Sequence, residues 1–176
     1  MLSNNEQAKM RDVERRLSEM RAHLSRGFPP LDDTDAWCAY LAALKEIQGN
    51  ASQDLSFVAT LMAKPYLVEH YGLTGFDASA KAQGAPGLDI DVHLPDGRRL
   101  VAEIKTTTPY GAYDLGAQQN STFQSDFSKL ARAEADVKLF LLTDRKTFAL
   151  MQKPKYQSQL HGVTVILLTT GEKFPP

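Results

Sequence analysis

Hydrophobic positions follow a helical period through the first seventy or so residues and a period of two after that. Between residues 4 and 25 there is no Gly or Pro, and Met10, Val13, Leu17, Met20 and Leu24 recur at spacings of three and four. That pattern predicts an amphipathic helix with a heptad seam. The seam is barely over two heptads long, too short for an isolated coiled coil, so it must pack on its own chain or on the same helix of a second copy. Gly27-Phe28-Pro29-Pro30 ends this helix. Asp32 or Thr34 then caps a second, with Trp37, Leu41, Leu44 and Ile47 on one side. A third starts near Ser52 with a stripe of Leu55, Val58, Leu61 and Met62, Phe57 lying at its edge. Pro65 predicts a kink or break in it, before an end at Gly72.

Residues 73–87 are small and polar, a loop with room for a short strand around Phe76 to Ala80. The alternating runs LDIDVHL and RRLVAEIK follow, joined at Pro95-Asp96-Gly97, and read as a β-hairpin. After Lys105 comes a turn-prone stretch, then a helix from about Asn120 that buries Phe123, Phe127, Leu130 and Ala131. Residues 137–143, VKLFLLT, suit a central strand, and 163–169, VTVILLT, a last one. Between them Asp144-Arg145-Lys146 predicts a turn and Thr147 to Met151 a short returning strand; 171–176 reads as a tail. The succession implies an α/β fold, a mixed central sheet flanked by helices, with added N-terminal helices. A chain of 176 residues is expected to form one domain, in which residues 1–50 are a helical extension packed on or dimerising a core at 51–171.

The hairpin is where chemistry concentrates. Asp89 and Asp91 share one face of the first strand, and Val101, Glu103 and Lys105 share one face of the second. Apolar residues occur on both faces, so the strands are expected to be covered on both sides, with Glu103 and Lys105 at a cleft. Two readings stand from residue types alone. Clustered carboxylates repel one another, and a divalent cation such as Mg²⁺ reverses that balance, its shell completed by water and substrate phosphate. A solvated face with surface ion pairs explains the same residues. Which aspartate lies nearer Glu103 depends on the turn length, and alternation does not fix it. Glu69, late in the third helix, is either a surface glutamate or a helix-borne contributor to the same site.

Charge and cysteine content narrow the classes. The net charge is −1, which excludes a histone-like or polybasic character. Residues 31–70 hold two basic and six acidic residues, whereas 129–157 hold seven basic and three acidic. Such asymmetry permits a basic face for nucleic acid, with Lys81, Arg98, Arg99, Lys129 and the arginines of the first helix as candidates. Cys38 is the only cysteine and is expected to be buried, so no disulfide can form within the chain, which suits a reducing cytoplasm. No apolar run of membrane-spanning length is present, so no membrane association is expected. Phosphate-loop motifs, zinc spacings and a GxSxG elbow are absent.

Asp91, a turn and then Glu103-Ile104-Lys105 resemble the signature of the PD-(D/E)xK nuclease superfamily, while Pro86-Gly87-Leu88-Asp89 departs from its bare Pro-Asp spelling and Asp89 competes for the first position. Helices before the hairpin and a helix and strand after it resemble that superfamily's αβββαβ core. The run AEIKTTTP, followed by GAQQ and a helix carrying Lys129, is most similar to type II restriction endonucleases. The resemblance implies a Mg²⁺-dependent endonuclease that cuts double-stranded DNA, site-specifically, as a homodimer. It implies Asp91 (or Asp89) and Glu103 as metal ligands together with the carbonyl of Ile104, Glu69 as an added helix carboxylate, and Lys105 as the group orienting the attacking water. Gln118, Gln119 and Lys129 match the region of auxiliary phosphate contacts. A structure- or damage-directed nuclease of the same fold and a catalytically inactive binding or accessory protein are the alternatives.

Overall fold

A computed structural model describes residues 1–81, 85–111 and 113–175; residues 82–84 of the expected loop, Ala112 and Pro176 lie outside the described residues. The chain divides into two compact units, Met1–Asp54 and Leu55–Pro176.

The first unit holds α1 (Asn4–Leu24), α2 (Thr34–Gln48) and the first residues of α3 (Ala51–Tyr71). Ser3 caps α1 in a reciprocal box with Glu6: the Glu6 N–H donates to Ser3 Oγ at 3.1 Å, and the Ser3 N–H to Glu6 Oε2 at 2.7 Å. Asp33, between the two expected caps, is the N-cap of α2 and accepts from the Ala36 N–H. The two helices meet through polar and aromatic contacts. The His23 ring lies 4.3 Å from that of Tyr40 and its Nε2 3.1 Å from the Tyr40 carbonyl, while Arg16 of α1 pairs with Asp54 in the first turn of α3 at 2.5 Å. Cys38 is exposed, not buried as expected, because α2 has no fully buried position.

The second unit is built on a five-stranded sheet in the order β1 (Ile90–His93), β2 (Arg99–Lys105), β3 (Val137–Leu142), β4 (Thr164–Leu167) and β5 (Glu172–Phe174). The outer pairs β1–β2 and β4–β5 are antiparallel hairpins; the inner pairs β2–β3 and β3–β4 are parallel. Parallel neighbours need crossovers, which α4 (Ala117–Arg132) and then α5 (Arg145–Met151) with α6 (Pro154–Gln157) supply. One sheet face carries Leu100, Ala102, Ile104, Leu139, Leu141 and Ile166 against Ala59, Ala63 and Leu67 of α3. The other carries Val101, Phe140, Leu142, Val165 and Leu167 against Phe123, Phe127 and Leu130 of α4 and against α5 and α6. The central strands are therefore covered on both faces, as their apolar runs predict. Among the described residues no helix is long and apolar enough to cross a membrane.

Local expectations fail where elements are short. Residues 76–80 form turns and bends rather than the expected short strand, so among the described residues no third antiparallel strand of an αβββαβ core lies beside the hairpin. Residues 147–151 are helical: Asp144 accepts from the Thr147 N–H at 2.8 Å and caps α5, which buries Phe148 and Met151 one turn apart. The expected tail contains β5. Helix α3 runs without a break through Pro65, and it buries Phe57, Ala59, Thr60, Ala63 and Leu67, while Leu55 of the expected stripe is exposed.

Candidate active site

The register of the hairpin decides which aspartate meets the glutamate. Ile90 pairs with Ala102 and Asp91 with Val101, so the next step along the ladder sets Asp89 opposite Glu103. Asp89 stands just outside β1, and its Oδ2 accepts the Ile104 N–H at 2.8 Å, closing the ladder with a side chain. Asp89 is near enough to Glu103 for its carboxylate to push the Glu103 carboxyl upwards. The preference for Asp91 is corrected accordingly. Asp91 sits a step nearer the turn, gripped by Arg99 through Nη2 at 2.7 Å and Nε at 2.9 Å, and that guanidinium holds its carboxyl below the usual carboxylate range.

Glu103 faces α4 and is 2% exposed. On α4, Phe123, Asp126, Phe127 and Leu130 form the buried stripe, so Asp126 enters an otherwise apolar contact directly over β2. It holds both lysines of the site. Lys105 Nζ lies 2.5 Å from Asp126 Oδ2, and Lys129 Nζ lies 2.9 Å from Asp126 Oδ1 and 3.1 Å from Glu103 Oε1. The Lys105 contact is one of charge: Asp126 Oδ2 is buried and has no hydrogen bond of good geometry. The Lys105 ammonium also sits 5.9 Å from the centroid of the Phe123 ring.

Burial, then the Asp89 and Asp126 carboxylates, push Glu103 up to about 8 against the pull of Lys129. Glu103 is thus the carboxyl of this cluster that burial and its acidic neighbours favour in the protonated form. Asp126 lies within ion-pair distance of both lysines, and Lys129 also donates to Glu103. Burial lowers Lys129, but hydrogen bonds to Asp126 and Glu103 outweigh it and hold it above its ordinary value.

Other expected site residues lie elsewhere or are engaged within the fold. Glu69 is exposed near the end of α3, the helix that covers the sheet face opposite Glu103, so it is not brought to the site. Lys81 folds back onto the Leu88 carbonyl. Arg98 pairs with Asp96 in the turn at 2.7 Å. Besides Asp91, Arg99 also holds the Glu134 carbonyl at 3.0 Å. Gln119 accepts from the Gly116 and Tyr110 N–H groups and donates to the Thr108 carbonyl, fastening the loop after β2 to the start of α4. Gln118 is exposed on the first turn of α4. Asp126 was missed by sequence reasoning; its one trace there is a carboxylate at helical spacing inside the stripe Phe123, Phe127, Leu130.

A cation would meet two carboxylates at this site. Among the described residues no three His, Cys, Asp or Glu side chains converge as a metal-holding group. Mg²⁺ is nonetheless suited to a site of one or two carboxylates, because it retains water and takes substrate oxygens. A buried carboxyl raised by a neighbouring carboxylate, as Glu103 is by Asp89, is a donor whose charged form a divalent cation would favour. No family model, curated protein sequence or solved structure matches this chain.

Proposed function

We propose that the chain is a Mg²⁺-dependent endonuclease hydrolysing DNA phosphodiester bonds, with Asp89, Glu103 and Lys105 as its working groups. The observation that carries this reading is the pairing of Asp89 with Glu103 across the hairpin, with Lys105 two residues on from Glu103 along the same face of β2. Asp89 and Glu103 would hold the ion, and the Ile104 carbonyl lies in the chain between the two other groups. When bound, Mg²⁺ supplies a more acidic water and neutralises charge gathering on the phosphoryl oxygens. Lys105 holds a phosphate oxygen or the attacking water, its ammonium kept in place by Asp126. Asp126 and Lys129 are positioning residues. A homodimer would bring two such sites to the two strands of a duplex, and site-specific cutting of double-stranded DNA is the form of activity we favour.

A second reading, a nuclease-like binding protein without catalysis, is favoured by one observation: Lys105 already has a buried counter-ion in Asp126. Incubating plasmid DNA with the protein in Mg²⁺ or in EDTA, beside Lys105→Ala and Glu103→Gln, separates the two. Discrete products lost with EDTA and with both variants are expected. Binding of DNA without Mg²⁺-dependent cleavage would establish the second reading in its place.

A further inference from the structure

The first unit has a surface that the site chemistry leaves unused. Its helices bury no hydrophobic residue fully; only Glu6 and His23 are buried among them. On α1, Met10, Val13, Glu14, Leu17, Ser18 and Arg21 line one continuous shallow groove, and Leu17 at its middle is 59% exposed. Spacings of three and one repeat through these six residues, so they form one stripe along the helix. The two charged members stand at either end of its middle part, Glu14 one turn before Leu17 and Arg21 one turn after it.

We propose that this groove is the contact between two copies of the chain, with the α1 helices antiparallel about a two-fold axis at Leu17 and Ser18. Under that symmetry each residue faces the one equally far beyond the axis in the other copy. Glu14 then meets Arg21 of the second copy, and Arg21 meets its Glu14. A parallel pair would instead set Glu14 against Glu14 and Arg21 against Arg21. The apolar members Met10, Val13 and Leu17 supply the burial that helices of this length lack alone, and the charges select the direction. The contact rests on α1 and stands whether or not the chain cuts DNA.

Sedimentation equilibrium of the full chain over a range of concentrations tests it, read together with circular dichroism to confirm that each variant is folded. The wild type is expected to approach twice the chain mass at micromolar to tens-of-micromolar concentrations. Glu14→Arg alone and Arg21→Glu alone should each weaken association about tenfold, since two attractive pairs become two repulsive ones. The double variant should recover it, and so should an equimolar mixture of the two single variants. Leu17→Asp should leave a monomer. A wild type that stays monomeric throughout, single charge reversals that change nothing, or a double variant no better than the singles would each overturn the proposal.

Discussion

Replacing Glu103 with Gln keeps the side chain's shape and removes its proton equilibrium. The wild-type carboxyl is almost fully buried and is pushed from 4.5 up to about 8 by that burial and by Asp89 and Asp126. A folded state that keeps a proton which the unfolded chain releases is favoured at low pH. This group's contribution is fully present below about 4.5 and is lost as pH rises through about 8. Each pH unit between those limits is worth at most about 1.4 kcal/mol, so the ceiling is roughly 5 kcal/mol; local relaxation and water entry bring the expected figure to about 2–3 kcal/mol. Urea denaturation followed by circular dichroism should show wild-type stability falling across this window. Glu103→Gln should match the wild type near pH 5, lack that fall and be the more stable protein near pH 9. Millimolar Mg²⁺ should restore wild-type stability at the alkaline end and leave the variant unmoved, because the ion competes with the proton for the same oxygens. Equal slopes for the two proteins between about pH 5 and 8 would refute the assignment of the raised carboxyl to Glu103.

Two further outcomes follow from the same cluster. Asp126→Asn strips both lysines of their counter-ion; we expect about 2–4 kcal/mol of lost stability by thermal unfolding and a fall in Mg²⁺-dependent cleavage of at least about tenfold. Asp89→Asn should remove cleavage, whereas Asp91→Asn should leave it within a few-fold, because Asp91 is occupied by Arg99 at the turn end; the reverse ranking in a plasmid assay would show that the working register differs from the ladder described above.

The elements that periodicity announces over many residues formed where expected. The seam from Met10 to Leu24, the hairpin alternation around Asp96-Gly97 and the apolar runs of β3 and β4 each integrate a signal along the chain. The failures lie where one or two residues decide. Four to seven residues around Thr147 fit helix or strand equally until the Asp144 cap is seen. The Asp89 or Asp91 question turned on a single step of register, which alternation cannot fix because both aspartates have the same parity. Asp126 was hidden for a different reason. A lone carboxylate on a helix reads as solvated until a second element, here β2 with Glu103 and Lys105, is laid beneath it. Chemistry formed between elements distant in sequence leaves only this weak trace in either one.

The sheet ends in two short strands, four residues in β1 and three in β5. Asp91 on one edge, and Glu172 and Lys173 on the other, place charge where a further strand would have to join, and Pro175 just past β5 offers no N–H to extend the ladder. Open-ended growth through the sheet is thereby discouraged at both margins. The proposed contact along the α1 stripe would differ in kind, because a two-fold helical contact is satisfied by one partner and presents nothing to a third. Under that proposal, self-association would be directed towards a closed pair and away from a fibre.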